Sequence, residues 1–385
     1  MTPYSRQSIN KKDIYSVVKT LKSNYLTQGP IVEKFERKLS KLVKAKYGVA
    51  SNSASSSLHL ACIALDLKPK DIVWTVPNTF AASANCAINC GAKIDFVDID
   101  ADTWNLSLSS LEKKLVIAKK KKKLPKILIP VHFAGQPTEQ KEIWKLSKKY
   151  KFKIIEDASH SLGAMQSSEP VGSCKWSDIT VFSFHPVKII TTGEGGMAMT
   201  NNKNLYEKMK IYRTNGIKKD LKNLRNKPWY YEQVGTGFNY RMNDIAASLG
   251  LSQISRLKNF IKKRNQIAEK YKSFFKDLPV KFQKIQNENL SSYHLFVIQF
   301  DLKKTKYNYK EIFNTLREKN FYVNLHYMPL HLNSFFRKRG FKNGQFPVSE
   351  KYSKTSISIP IFFDLKKKKI IQLCNLIKSF FKIYE

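Results

Sequence analysis

Apolar residues first recur at helical spacing in Ile14, Val17, Val18 and Leu21, behind Asn10, a residue type that favours the N-cap position. An irregular segment, Ser23–Gly29, then runs into Pro30, which suits the first turn of a second helix carrying Ile31, Phe35, Leu39 and Val43. From about residue 48 the pattern changes to short apolar runs: Ile72–Val76, Ile94–Ile99, Ile127–Phe133, Lys153–Asp157, Ile179–Phe184 and Gly196–Thr200. Most are nearly continuous, and the stretches between several of them have room for crossover helices. Together they predict an α/β fold with a mainly parallel sheet covered on both faces. Ligands of such sheets bind beyond the carboxyl ends of the strands, so polar residues just after each run are where chemistry is expected.

After Asn239 the pattern predicts one long helical region, roughly Met242–Phe275. A strand at Tyr293–Phe300, a helix near Tyr309–Lys319, strands at Phe321–His326 and Ser356–Pro360 and a closing helix from about Lys366 follow, as a smaller α+β domain. The chain thus divides into an N-terminal segment over 1–30, a large α/β domain over 31–250 and a small C-terminal α+β domain over 251–385, with no internal repeat. The Lys218–Tyr231 loop, rich in Lys, Asn and aromatics, is a candidate mobile or interface segment.

A length of 385 residues and 42% hydrophobic content support a large buried core and exclude disorder as the main description. Charge is the outlier: 68 Lys and Arg against 30 Asp and Glu leave a formal +38, with lysine runs at Lys119–Lys123 and Lys366–Lys369. Such a field attracts anions, whether nucleic acid, an acidic membrane or a phosphorylated small molecule. No basic stripe interleaved with stacking aromatics reads as a nucleic-acid surface, and dispersed lysines on solvated helix faces account for the excess. Five cysteines, Cys62, Cys86, Cys90, Cys174 and Cys374, lack Cys-x-x-Cys spacing, which fits neither a disulfide framework nor a zinc site and points to a reducing compartment. Neither a signal-peptide core nor an apolar run of about 18 residues is present, so a soluble cytoplasmic protein is expected.

Four pieces follow the predicted strands in order. Lys188 ends Phe182-Ser183-Phe184-His185-Pro186-Val187-Lys188, where desolvation can lower its pKa and make it a Schiff-base nucleophile; a surface charge is the ordinary use of such a lysine. Asp157 closes the strand in Ile154-Ile155-Glu156-Asp157-Ala158-Ser159-His160, where it either meets a cationic partner or caps a following helix. The turn Ser51-Asn52-Ser53-Ala54-Ser55-Ser56 opens an apolar helix whose N-terminus can bind phosphate, although serine-rich helix starts are also plain caps. In Pro77-Asn78-Thr79-Phe80-Ala81-Ala82-Ser83-Ala84-Asn85, Phe80 can lie against a planar ring or pack in the core.

Together and in this order, these pieces resemble the DegT/DnrJ/EryC1/StrS family of sugar aminotransferases, enzymes of the pyridoxal phosphate fold type I, over almost the whole chain. Leu26-Thr27-Gln28-Gly29, Val131-His132-Phe133-Ala134-Gly135, Gly237–Asn243 and His326-Tyr327-Met328-Pro329-Leu330 extend the resemblance. It implies pyridoxal 5'-phosphate as cofactor, with Lys188 as the catalytic Schiff-base lysine, Asp157 on the pyridine nitrogen, His160 on the ring-hydroxyl side and Phe80 stacked on the ring. Phosphate would be held at Ala54 and Ser55, by the Ser183 hydroxyl and by Asn239 from a second subunit, so a homodimer with shared active sites is implied. Tyr4, Asn24, Tyr25, Leu26 and Thr27, with His326, Tyr327 and Ser183, match positions lining the nucleotide-sugar site. No metal is implied. Many relatives have Gly-Thr where this chain has Ala54-Ser55, so phosphate geometry there must be reached without glycine.

The implied reaction moves the amino group of L-glutamate to C4 of a UDP-linked 4-keto-6-deoxy-N-acetylhexosamine of the pseudaminic acid type, releasing 2-oxoglutarate. Keto-sugars of the perosamine and legionaminic acid routes, or 4-keto-6-deoxy-GlcNAc, remain open. A related sugar 3-dehydratase has histidine in place of the Schiff-base lysine; Lys188 argues against it, and His185 is no equivalent. A non-catalytic basic binding protein on the same fold is the reading of a different class, and it has no use for Lys188.

Overall fold

Asn10 caps helix α1 (Lys11–Leu21) in a reciprocal box: its side chain accepts the Asp13 N–H at 3.0 Å while Asp13 accepts that of Asn10 at 2.9 Å. The computed structural model describes residues 1–218 and 227–381; of the Lys218–Tyr231 segment, residues 219–226 lie outside that description. Pro30 opens helix α2 (Pro30–Val43), which buries Val32, Phe35, Leu39 and Val43 along one stripe. No side chain of its own N-cap serves this helix. Instead the buried Asp244 accepts the N–H groups of Gly29 (2.8 Å), Ile31 (2.8 Å) and Val32 (3.4 Å), which also fixes the end of the irregular segment before it.

The α/β sheet has seven strands: β1 (Tyr47–Ser51), β2 (Ile72–Thr75), β3 (Lys93–Phe96), β4 (Ile127–Leu128), β5 (Lys153–Asp157), β6 (Ile179–Ser183) and β7 (Gly196–Thr200). Their order is β1-β7-β6-β5-β4-β2-β3, and only β7 runs antiparallel to its neighbours. This is the mainly parallel sheet expected of fold type I. Helix α3 (Ala54–Ala64) covers one face, packing Leu58, Ala61 and Cys62 with Val49, Ile155, Val181 and Ala198; helix α4 (Ala82–Ile88) adds Cys86 and Ala87. The other face packs Phe182, Phe184, Met197 and Met199 beneath Phe35 and Leu39 of α2.

Several boundaries differ from those the pattern predicts. The Met242–Phe275 region is two helices, α5 (Asp244–Ile254) and α6 (Leu257–Phe274). Between them the backbone tightens, with Ser255 N–H on Ser252 O and Arg256 N–H on Gln253 O, and the Arg256 guanidinium turns to Asp13 and Ser8. The Ile127–Phe133 run pairs as a strand only over Ile127–Leu128, since Pro130 has no N–H to give the ladder; Val131 rejoins as a lone bridge to Asp157. Of Phe321–His326, Phe321–Tyr322 form the strand, parallel to Thr2–Pro3 of the N-terminal segment.

In the C-terminal part, β8 (Val280–Phe282), β9 (Phe296–Phe300) and β10 (Ser356–Ile359) form an antiparallel sheet. Helix α6 links the two cores: Leu257, Phe260 and Ile261 pack under the large sheet, and Ile267, Ala268 and Tyr271 pack against Phe296, Ile298 and Ile359. Midway, the buried Arg264 donates to the carbonyls of Tyr293, His294 and Ile361 and to Ser5 Oγ, tying α6, both chain segments and the N-terminus together. No helix among the described residues is long and apolar enough to cross a membrane.

The Asp244 cap makes a direct prediction. Asp244→Ala leaves three N–H groups at the start of α2 without their acceptor and should lower stability by about 2 kcal/mol in thermal unfolding, with Asp244→Asn losing less.

Candidate active site

Beyond the carboxyl ends of β1, β5 and β6 lies a cavity of about 710 Å³. Its walls bring together Tyr4, Ala54, Ser55, Phe80, Asp157, His160, Ser183, Lys188, His326 and Tyr327, ten of the residues singled out from sequence. A larger groove of about 1110 Å³, floored by Val171, Leu257 and Ile261, contains none of them.

Asp157 is the last residue of β5, in register with Val181 of the adjacent parallel strand β6. Ser83 Oγ donates to its Oδ2 at 2.6 Å, and Ser159 donates to its Oδ1 through N–H (3.1 Å) and hydroxyl (2.6 Å). The carboxylate is therefore oriented from two elements. It caps no helix, because the chain after it runs through turns.

Lys188 follows β6 in a turn closed by its own N–H on His185 O at 2.9 Å. Ser5, itself held by Arg264, donates to the neighbouring carbonyl of Val187 at 2.9 Å. Burial pushes the Lys188 amine down to about 8, with the negative charge of Asp157 opposing the shift. Lys188 as a residue is half-buried, and it lines the cavity.

The phosphate-type turn starts at Ser51. Ser53 caps α3 by accepting the Ser56 N–H at 3.1 Å, and the N–H groups of Ala54 and Ser55, in the first turn, have no intrahelical acceptor. These two residues are helical, so the turn needs no glycine of its own. The close approach is met across the sheet by Gly196, paired with both Ser51 and Ser183, where a Cβ would lie 2.5 Å from Ala54 N.

His160 and His326 complete one wall. Ala134 N–H donates to His160 Nδ1 at 3.3 Å, and His160 Nε2 lies 3.1 Å from Tyr327 Oη. His326 Nδ1 is 2.9 Å from Ser358 Oγ, and burial, reinforced by Lys188, pushes His326 down to about 3. Tyr4 meets His326 edge-on at 4.8 Å. Phe80 is 61% exposed with its ring 6.2 Å from that of Tyr327, so it faces the cavity and is not a core residue.

Asn24, Tyr25, Leu26 and Thr27 lie exposed between α1 and α2, and Asn239 is also exposed; none belongs to the walls of this cavity. Ser83 and Ser159, which hold Asp157, were not singled out from the sequence. Both sit inside the motifs that carry Phe80 and Asp157, and a hydroxyl beside a strand-end carboxylate was the available signal.

Comparison with known proteins adds four findings. The pattern of the DegT/DnrJ/EryC1/StrS aminotransferase family matches residues 7–378. The chain is 36% identical over 381 residues to the uncharacterized protein MJ1066 of Methanocaldococcus jannaschii (98% of this chain, 97% of that one). It is 38% identical over 375 residues to the UDP-4-amino-4,6-dideoxy-N-acetyl-beta-L-altrosamine transaminase of Campylobacter jejuni (96% and 94%). Among solved structures, the putative sugar aminotransferase Spr1654 of Streptococcus pneumoniae in its PMP form superposes with a TM-score of 0.91 at 28% identity, covering 98% of each chain.

The donor set suits a planar, phosphorylated aldehyde with a basic ring nitrogen. An amine that can be neutral, a fixed carboxylate and a helix start with free N–H groups open into one cavity. In protein freed of small molecules, labelling of Lys188 by an amine-reactive reagent should titrate near pH 8 when followed by peptide mass spectrometry. Because the Asp157 charge raises the lysine pKa, Asp157→Asn should move that midpoint lower still, and a midpoint near the ordinary 10.5 would contradict the geometry.

Proposed function

The chain belongs to the DegT/DnrJ/EryC1/StrS aminotransferase family and is a pyridoxal phosphate-dependent sugar aminotransferase, and on that premise we propose that it transfers the amino group of L-glutamate to C4 of a UDP-linked 4-keto-6-deoxy-N-acetylhexosamine. The product on this reading is UDP-4-amino-4,6-dideoxy-N-acetyl-β-L-altrosamine, and the likeness to the Campylobacter transaminase supports that choice among keto-sugars. The observation that carries the chemistry is a lysine amine pushed down to about 8 and facing a fixed carboxylate in one cavity.

Bound pyridoxal 5'-phosphate supplies an electron sink for the pair left behind when a carbon acid loses its proton. Asp157, held by Ser83 and Ser159, is the fixed anion that would keep a proton on the cofactor's ring nitrogen. The N–H groups of Ala54 and Ser55 and the Ser183 hydroxyl would bind the phosphate, and Phe80 would cover a ring face. Lys188 has two tasks. Its amine would hold the cofactor and, when free, would take the proton from the α-carbon of glutamate and return it at C4′. A pKa near 8 lets one amine serve as base and then as acid close to neutral pH.

Asn239 and the Asn24–Thr27 segment lie outside the cavity of their own chain, which supports a homodimer in which each subunit completes the phosphate and nucleotide-sugar sites of the other. Work in the cytoplasm, where nucleotide sugars are made, fits the five free cysteines. The formal +38 charge favours collection of a nucleoside diphosphate.

Purified protein incubated with L-glutamate and a panel of 4-keto UDP- and GDP-sugars should release 2-oxoglutarate and gain the mass of the 4-amino product with the altrosamine precursor. Turnover of a GDP-sugar alone would overturn the substrate assignment. Lys188→Ala should lower turnover by roughly 10⁴-fold while the protein stays folded.

A further inference from the structure

We propose that Tyr327, and not His160, presents the hydrogen-bond donor that meets the ring oxygen of the cofactor, in a polarity set by the backbone N–H of Ala134. The inference rests on the cofactor reading above and revises two assignments within it: His160 supports the donor, and Tyr327 faces the cofactor and not the sugar.

A histidine ring alone leaves its donor and acceptor nitrogens undecided, but here one contact decides them. Ala134 sits in a tight turn, Phe133–Gly135, with its own φ at +57°, and its buried N–H points at His160 Nδ1 at 3.3 Å. An amide N–H can only donate, so Nδ1 carries no proton. Burial, with the charges of Lys188 and His326 acting in the same direction, holds the His160 ring neutral. A neutral imidazole has one N–H, and it is therefore on Nε2, 3.1 Å from Tyr327 Oη.

Tyr327 must then accept from His160, and its own O–H proton remains to be given away. That hydroxyl makes no second hydrogen bond among the described residues, and it lines the cavity. The groups around it are Tyr4, Asp157, Lys188, His160 and His326. Asp157 is already engaged by Ser83 and Ser159, and no hydrogen bond joins it to Tyr327 among the described residues. Burial first, then the neighbouring Tyr4 and Asp157, raise the Tyr327 pKa far enough that the phenol stays protonated. A protonated phenol with its acceptor side filled is a committed donor, on the wall that carries the carboxylate assigned to the ring nitrogen. The ring oxygen of the cofactor, carried on the carbon next to the one that bears the aldehyde, would be the anionic acceptor that matches it.

The test is a pH titration of the visible absorption of the cofactor-loaded enzyme. A donor to the ring oxygen stabilises its anionic form, so Tyr327→Phe should raise the titration midpoint by about one unit, tenfold in acidity, whereas His160→Gln, which keeps an N–H near Tyr327, should shift it much less. A midpoint unchanged in Tyr327→Phe, or a larger shift in His160→Gln, overturns the proposal. Should Tyr327→Phe fail to fold, ¹⁵N-histidine spectra of the wild-type enzyme decide: protonation of His160 at Nε2 supports the polarity, and at Nδ1 overturns it. Wild-type enzyme with no visible band and no pyridoxyl label on Lys188 would instead overturn the cofactor reading, and this inference with it.

Discussion

A lysine amine is chemically useful only when it can lose its proton near neutral pH, and water normally prevents that. Here the surrounding walls remove enough solvent to bring Lys188 down to about 8, while Asp157 limits the fall. The balance depends on the sheet. β5 and β6 are adjacent and parallel, so their carboxyl ends emerge on the same edge, and the carboxylate closing one comes to face the lysine following the other. Ser83 and Ser159 fix the acid, and the Arg264–Ser5–Val187 chain of hydrogen bonds fixes the backbone beside the amine.

The same edge also sets the phosphate end of the site. The antiparallel strand β7 lies between β1 and β6, which places Ser51, Gly196 and Ser183 side by side. Only a residue without Cβ lets the first turn of α3 rest against β7, so the N–H groups of Ala54 and Ser55 open into the cavity that Ser183 also lines. A glycine on the neighbouring strand thus does the work that a glycine inside the turn would otherwise do.

The sequence shows the strand-end chemistry well because each piece is local: Asp157, Lys188, Ala54 and Phe80 lie within a few residues of an apolar run, and strand ends are where such sheets bind ligands. What it hides is set by tertiary contacts. Apolar periodicity runs on through Ser255 and Arg256, and the break between α5 and α6 comes with an arginine turning to Asp13, far away in the chain. β1, with Gly48 and Ala50, has little strand propensity of its own and is defined by pairing with β7. A site role for Asn24–Thr27 and Asn239 rests on resemblance alone, because nothing in a single chain brings them to the cavity.

Three imidazoles, His160, His294 and His326, cluster around the same lysine, an arrangement that would be costly if they were charged. Burial drives all three toward neutrality, and Lys188 pushes each in the same direction. Their shared state follows from the constraint that makes the amine reactive: a wall dry enough to deprotonate a lysine near pH 8 is too dry to protonate a histidine beside it. His160 and His326 are left as fixed hydrogen-bonding groups whose polarity is set by their neighbours. On the proposed function, a proton moved in this wall is one that Lys188 carries, and the histidines beside it hold and do not transfer.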